Sequence, residues 1–457
     1  MELKRTMRLK STPCAAMVLL VVLMFIPIQT AQAFTTPPIP FVEGPITGPD
    51  PMWSGLVGTP STTTPLADYG YIAEEYFVSG TANGQPYKTR ILVRRPEVPE
   101  KFSGIVVAEI MHSNGTSVTF GPARVSIMLR GHIHLEIAAQ KGNVDNTLKP
   151  YNPARYGSLS IPSSSQLSEI VAQVGTLIKS NQPPSPLYPL YARHLLLQGT
   201  SNASQALRTY QSNAHFQFRL EDGNPIMDGY LATSTLGNSS MMVVDVPTIQ
   251  MPTQTEVTSQ AAATGGIKYR RPDSDDPANR FRIYEVAGMP HANSRDTVTY
   301  VPNPCQLPIS DFTWGAMAAM GLNHLVEWVD NDTIPPHAQY IAVDYDTSND
   351  GSLLVLDEYG NAEGGVRNTY VDVPVAKYGV PNSGTGSSAF TCSIAGYRLV
   401  LPEDTLESLY RNRGQYISEV NQRLMEFVRE GWFLPEYADL IRSDAQEVSK
   451  TLIKPKK

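Results

Sequence analysis

Cysteine is scarce. Beyond residue 33 the chain holds only Cys305 and Cys392. Two thiols cannot knit a miniature disulfide scaffold or complete a thiolate zinc site. Neither has a His or a second Cys at ligand spacing, which argues against a metal ligand or a thiol nucleophile. An even pair in an oxidising compartment reads instead as one disulfide, Cys305–Cys392. Basic excess is also missing. Lys and Arg number 36 against 43 Asp and Glu, and charged residues make up only 17% of the chain. Nucleic acid and anionic membranes both want a basic face, so neither fits as a partner. Past residue 33 no apolar run reaches the roughly 20 residues that a spanning helix needs. Internal repeats and long low-complexity tracts are absent. What remains is an ordinary globular composition, 41% hydrophobic, that supports a large core.

The N-terminus follows a different pattern. Lys4, Arg5, Arg8 and Lys10 precede an apolar run from Ala15 to Ile28, which ends at Ala31-Gln32-Ala33. A basic start, a short apolar stretch and a small-x-small site predict a secretory signal peptide over residues 1–33. The run is short for a membrane anchor, and Cys14 lies before it without a lipobox. Cleavage would remove those four bases against the single acid Glu2, leaving a more acidic, secreted or periplasmic protein with no membrane attachment.

After a Pro-, Thr- and Gly-rich lead-in over residues 34–66, two β-rich stretches, Tyr71–Ser79 and Thr89–Val93, flank the turn Ala82-Asn83-Gly84. Near-continuous apolar runs follow at Gly104–Met111, His132–Ala139, Arg193–Gln198, Tyr230–Thr235, Val246–Met251 and Phe281–Val286. Such runs suit strands buried on both faces of a parallel sheet. Helical patterns alternate with them. Leu167, Ile170, Val171, Val174 and Ile178 share one face, and Ser204–Tyr210 begins another helix. This alternation predicts the α/β class, with a mostly parallel central sheet flanked by helices. Further on, Asp311–Val329 reads as a helix and Ser352–Asp372 as a hairpin. Asp404 is placed to cap one long helix whose apolar face runs from Leu406 to Val428.

The chemistry centres on Gly199-Thr200-Ser201-Asn202-Ala203, where a buried strand meets a helix. This is the setting of a nucleophile elbow, in which small residues two positions either side of the serine avoid collisions in a strained turn. Ser204 is the weaker serine, since it would lie inside the helix. A serine needs a base. Among eight histidines, His291 stands out because it follows the strand Phe281–Val286 in the loop 287–293. The acid falls between them in chain order, and Glu256, just past Val246–Met251, is favoured over Asp273, Asp275 and Asp276 in a charged loop. Two backbone amides should meet the developing oxyanion: that of Asn202, and one from His112-Ser113-Asn114-Gly115, with Ser113 and Asn114 as candidates. His132 and His134 alternate along a strand, but no carboxylate joins them at metal spacing. No metal and no cofactor are called for.

These residues carry a resemblance. Glu75–Ala82, Arg155-Tyr156-Gly157, Gly199-Thr200-Ser201, Thr255-Glu256-Val257, Ala287–Ala292, Cys305 before a helix, Pro335-Pro336 and Gly364-Gly365-Val366-Arg367 occur in order across residues 40–395. The chain resembles the secreted branch of the α/β-hydrolase-domain proteins with a large C-terminal addition. That resemblance implies an α/β-hydrolase fold and a Ser201–Glu256–His291 triad. The elbow departs from the family's Ser-Gln-Ser-Gly continuation, reading Ser201-Asn202-Ala203-Ser204, which leaves substrate preference open. The expected organisation is a hydrolase core over 34–332 with an N-terminal β extension, and a C-terminal addition over 333–457 packed on it. The expected activity is carboxylic ester hydrolysis of a small-molecule substrate. The alternatives are acyl transfer and a non-catalytic binding protein on a hydrolase scaffold.

Overall fold

The β-branched runs become strands, and their order creates a crevice. The computed structural model describes residues 34–56, 65–235, 237–263, 265–296, 303–345 and 353–453. The expected signal peptide, residues 1–33, lies outside the described residues. Among those described, one sheet has nine strands: β1 (Phe41–Glu43), β2 (Tyr71–Ala82), β3 (Gln85–Pro96), β4 (Ile105–Ile110), β5 (Ile133–Ile137), β6 (His194–Thr200), β7 (Gly229–Thr233), β8 (Thr248–Met251) and β9 (Phe281–Ile283). Their spatial order is β1-β2-β3-β5-β4-β6-β7-β8-β9. The first part is antiparallel. β2 and β3 form a hairpin whose turn residues, Asn83 and Gly84, both take positive φ, as a type I′ turn requires. From β5 through β9 the strands run parallel. β4 and β5 are buried along their whole length, and β6 is buried from Leu195 on.

From β4 the chain moves outward to β5, then returns to the other side of β4 as β6. That reversal is the topological switch point, where open α/β sheets hold ligands beyond the strands' carboxyl ends. The helices Phe120–Leu129 and Trp314–Asp330 cover one face of the sheet. Leu167–Lys179 and Asn202–Ala214 cover the other. Residues Phe34–Lys457 form one compact unit. Leu406, Tyr416, Leu424, Phe427 and Ile441 share an apolar core with Trp314, Met317 and Trp328 of the sheet-covering helix. Each fully buried side chain of this kind stabilises by about 1.5–3 kcal/mol.

Three expectations need adjustment. The helix beginning near Asp404 is two helices, Glu403–Leu409 and Arg413–Glu430. Pro402, not Asp404, occupies the first N-cap. The chain breaks where the Tyr410 hydroxyl bonds the Pro374 carbonyl at 3.0 Å and where Asn412 caps the second helix through the Gln415 amide. The Pro-, Thr- and Gly-rich lead-in, whose composition predicts an extended segment rather than a packed element, is packed over its described residues 34–56. β1 pairs with β2, and carbonyls of residues 46–55 are held by Arg90 and Arg94 of β3, by Arg155 and by the Ser117 amide. The hairpin expected at Ser352–Asp372 narrows to a Leu356–Ala362 bridge around the turn Asp357–Gly360, with a helical turn at Thr369–Asp372; Ser352 itself lies outside the described residues. A true antiparallel ladder follows between β10 (Ala376–Gly379) and β11 (Tyr397–Val400).

Candidate active site

Ser201 stands between β6 and its helix at φ 55°, ψ −118°. A non-glycine residue in this region costs on the order of 1–3 kcal/mol and persists only where the surroundings enforce it. The enforcement is local. A Cβ placed on Gly199 would lie 2.5 Å from the Ala203 carbonyl oxygen and 2.6 Å from its carbon, so only glycine fits. The Ala203 methyl is accommodated and buried. The Ser201 amide donates to the Thr233 carbonyl at 3.1 Å, holding the elbow on β7. Beneath it, the hydroxyls of Thr119, Thr200 and Thr233 form a chain with 2.6 Å links.

His291 reaches the serine from the loop after β9. Its Nε2 is 2.9 Å from Ser201 Oγ, and its Nδ1 is 2.5 Å from Glu256 Oε1. The Glu256 carboxylate is fully buried and the His291 ring is 7% exposed, so the pair acts at low dielectric while the ring keeps an open edge. Glu256 occupies the third position of the helix Gln254–Ala261 and closes a capping box with Thr253. Its Oε2 accepts from the Thr253 amide at 2.7 Å and from the Thr253 hydroxyl at 2.6 Å, which leaves Oε1 for the imidazole. One carboxylate thus caps a helix and holds the imidazole. The same helix end holds the histidine loop. The Thr255 hydroxyl accepts from the His291 amide at 3.0 Å, and Gln254 Oε1 accepts from the Gly288 amide at 2.6 Å. On the far side the Ala292 amide donates to the Ile394 carbonyl at 3.0 Å. Ile394 belongs to the helix Ala389–Ala395, where Cys392 forms the disulfide to Cys305.

The rival residues are engaged elsewhere. Ser204 Oγ pairs with Thr235 Oγ1 at 2.5 Å inside the helix. Asp273 meets His337 and the Ile283 amide, Asp275 pairs with Arg282, and Asp276 caps its own loop at Ala278. His132 bonds Ser103, and His134 lies between Arg94 and Glu109. Among the described residues no group of three or more His, Cys, Asp or Glu side chains could hold a metal ion.

The turn after β4 is fixed by its carbonyls. The Met111 carbonyl accepts from Gln140 Nε2 at 2.9 Å. The His112 carbonyl accepts from Asn143 Nδ2 at 2.7 Å and from the Gly115 amide at 2.8 Å. In a trans peptide the N–H points opposite to the C=O. The Ser113 amide therefore points away from Asn143, and among the described residues no acceptor takes it. The Asn114 amide is already bonded to His112 Nδ1 at 3.2 Å, which removes Asn114 as a free donor. Asn202 supplies the first amide of its helix, which has no intrahelical partner.

Under this turn lies a buried polar network that sequence reasoning missed. Glu75 is bound by Arg90, by Arg155 at 2.6 Å and by the Tyr156 hydroxyl at 2.8 Å. Glu136 is bound by Arg90 at 2.5 Å, by Arg94 at 3.3 Å and by Ser117. His134 joins Arg94 to Glu109, whose carboxylate also accepts from the Thr119 and Phe120 amides at 2.8 and 2.9 Å. Burial lifts the Glu109 carboxyl to about 7, against the pull of those two amides. Burial also acts to raise Glu136, but Arg90 and Arg94 outweigh it and hold that carboxyl low. The lead-in segment closes the network. Arg90 and Arg94 donate to the carbonyls of Trp53 and Ser54, both at 2.6 Å, and Trp53 Nε1 donates to the Gly115 carbonyl at 2.6 Å.

A family model described as an alpha/beta hydrolase domain matches residues 42–443, and the chain belongs to that family. No curated protein matches it in sequence. Among solved structures it is similar to a putative dienelactone hydrolase from Klebsiella pneumoniae, at 12% identity and a TM-score of 0.31, over 57% of this chain and 98% of that one. It is also similar to a thermostable esterase from Pseudomonas putida, at 10% identity and a TM-score of 0.27, over 42% and 67%. A third similar structure comes from work on two prolyl endopeptidases, at 8% identity and a TM-score of 0.29, over 48% of this chain; the chain spans only 35% of that protein. These likenesses are too remote to bear on activity.

Proposed function

We propose that this protein is a serine hydrolase that cleaves small-molecule carboxylic esters through an acyl-enzyme. The observation that carries the reading is the hydrogen-bonded series Ser201 Oγ, His291 Nε2, His291 Nδ1, Glu256 Oε1. Ser201 Oγ attacks the ester carbonyl carbon while its proton passes to His291 Nε2. The buried Glu256 carboxylate stabilises the imidazolium and keeps Nε2 facing the serine. The amides of Asn202 and Ser113 hold the oxyanion. As the tetrahedral adduct collapses, His291 returns the proton to the alcohol oxygen, which leaves. Water then attacks the acyl group, giving its proton to His291, and the acid departs as Ser201 regains a proton. Export, secreted or periplasmic, belongs to the same reading. The basic start, the apolar run, the small-x-small site and the disulfide support it.

The test is pre-steady-state hydrolysis of p-nitrophenyl esters of graded chain length and bulk. A burst of p-nitrophenol stoichiometric with protein is expected, and none in Ser201→Ala. Folded wild-type protein that releases p-nitrophenol from no ester of the series would overturn the reading.

A further inference from the structure

The turn after β4 carries a second imidazole that the triad leaves unused. The ladder between β4 and β6 runs in parallel register from Ile105 opposite His194 to Glu109 opposite Gln198. β4 ends at Ile110 and the adjacent β6 at Thr200, so the turn that bears His112 and the elbow that bears Ser201 leave the sheet from the same ends of neighbouring parallel strands. The backbone of His112 is held on both sides, its amide on the Thr116 carbonyl at 2.9 Å and its carbonyl on Asn143 and Gly115. The ring is anchored too. Its Nδ1 accepts from the Asn114 amide at 3.2 Å, which places the ring proton on Nε2. Among the described residues none accepts from that Nε2–H, and the half-buried ring keeps an open edge. Burial holds the imidazole below its ordinary proton affinity; the Asn114 contact pulls against it, the nearby His291 ring adds to burial, and Glu109 pulls back. At neutral pH His112 is therefore a neutral donor, close enough to His291 for the two rings to interact electrostatically.

We propose that His112 Nε2–H is a third donor to the oxyanion, working beside the Ser113 and Asn202 amides. The inference rests on the serine-hydrolase reading. His112 transfers no proton. Its hydrogen bond to the carbonyl oxygen strengthens as negative charge grows there and relaxes when the adduct collapses, so its effect falls on the transition state rather than on the bound ester. A purely structural His112, present to take the Asn114 amide, would not discriminate between the two.

The experiment compares wild type, His112→Ala and His112→Gln on the best p-nitrophenyl ester. It also measures inhibition by a trifluoromethyl ketone, which forms a charged tetrahedral adduct on serine, and by the product acid, which does not. In His112→Ala, kcat is expected to fall about 10²-fold with KM nearly unchanged, ketone inhibition to weaken by a similar factor, and product-acid inhibition to stay put. His112→Gln, which keeps a side-chain N–H, is expected to lie between Ala and wild type in both kcat and ketone affinity. If His112→Ala fails to fold, the same comparison is made on His112→Gln against wild type, with kcat and ketone affinity expected to fall together. Unchanged kcat in a folded variant overturns the inference, and so does a loss of kcat without loss of ketone affinity. The serine-hydrolase reading fails separately, if the wild type itself hydrolyses no ester.

Discussion

Two strand ends stand side by side at the crevice, and they are held in opposite ways. The Ser201 elbow is shaped mainly by its own neighbours, with its amide anchored on Thr233 of the next strand. Gly199 clears the path for the Ala203 carbonyl, and the helix begins at once with Asn202. The His112–Thr116 turn is held from outside. Its carbonyls are taken by Gln140 and Asn143, 29 and 31 residues away, and by Trp53, 62 residues away. A local constraint writes itself into consecutive residues; a remote one is spread over segments that nothing in the sequence links. On the proposed reading the elbow and the turn serve one reaction, so perturbing each in turn tests whether the distinction matters.

The largest effect is expected from breaking the local side. Gly199→Val drives a branched side chain into the Ala203 carbonyl, which the backbone must move to relieve. Ester turnover should fall to background, and calorimetry should show a loss of about 3 kcal/mol or more, in the range of severe core strain. Next comes Glu256→Gln, which separates the two duties of one side chain. Glutamine suits the third position of a capping box, so the helix should keep its cap and the melting midpoint should barely move. The negative charge and the correct imidazole tautomer are lost, so kcat should fall by roughly 10³–10⁴-fold. A large fall in melting midpoint would show that the carboxylate serves the helix more than the histidine.

Breaking the remote side should cost less. Asn143→Ala removes one of two donors to the His112 carbonyl, the Gly115 amide remaining. We expect a loss of about 1 kcal/mol in stability and about tenfold in kcat, as the Ser113 amide loses its aim. The smallest effect on turnover is expected from Glu109→Gln, whose consequence is a pH dependence of stability. Folding raises the Glu109 carboxyl to about 7, so the native state favours its protonated form. That contribution is complete below the ordinary carboxyl value near 4.5 and is lost as pH rises through about 7. It amounts to on the order of 3 kcal/mol. Denaturant titrations at pH 5 and pH 8 should show the slope in wild type and a flatter profile in the variant.

Most of the sheet was legible in the amino-acid pattern, because runs such as Ile105–Ile110 are apolar on both faces and few other elements tolerate that. The order of Ser201, Glu256 and His291 was legible from the strands that precede each of them. Arg90 and Arg94 were not. Two arginines four apart on one face of an antiparallel strand suggest a solvated face, yet both are buried, their guanidinium groups meeting the carbonyls of Trp53 and Ser54. The break between Leu409 and Arg413 was hidden for a similar reason. The apolar spacing continues across it, and the partner that fixes Tyr410 is Pro374, 36 residues away. The choice between the Ser113 and Asn114 amides could not be made from the sequence either, since it turns on the His112 ring folding back onto the Asn114 amide and on Asn143, beyond β5, taking the His112 carbonyl.

The most direct measurement is mass-spectrometric mapping of a fluorophosphonate adduct on the folded protein. The account predicts one adduct on the peptide bearing Ser201, lost in Ser201→Ala and slowed by several orders of magnitude in His291→Ala. Labelling at Ser204 or another serine, or no labelling of the folded wild type, would contradict it.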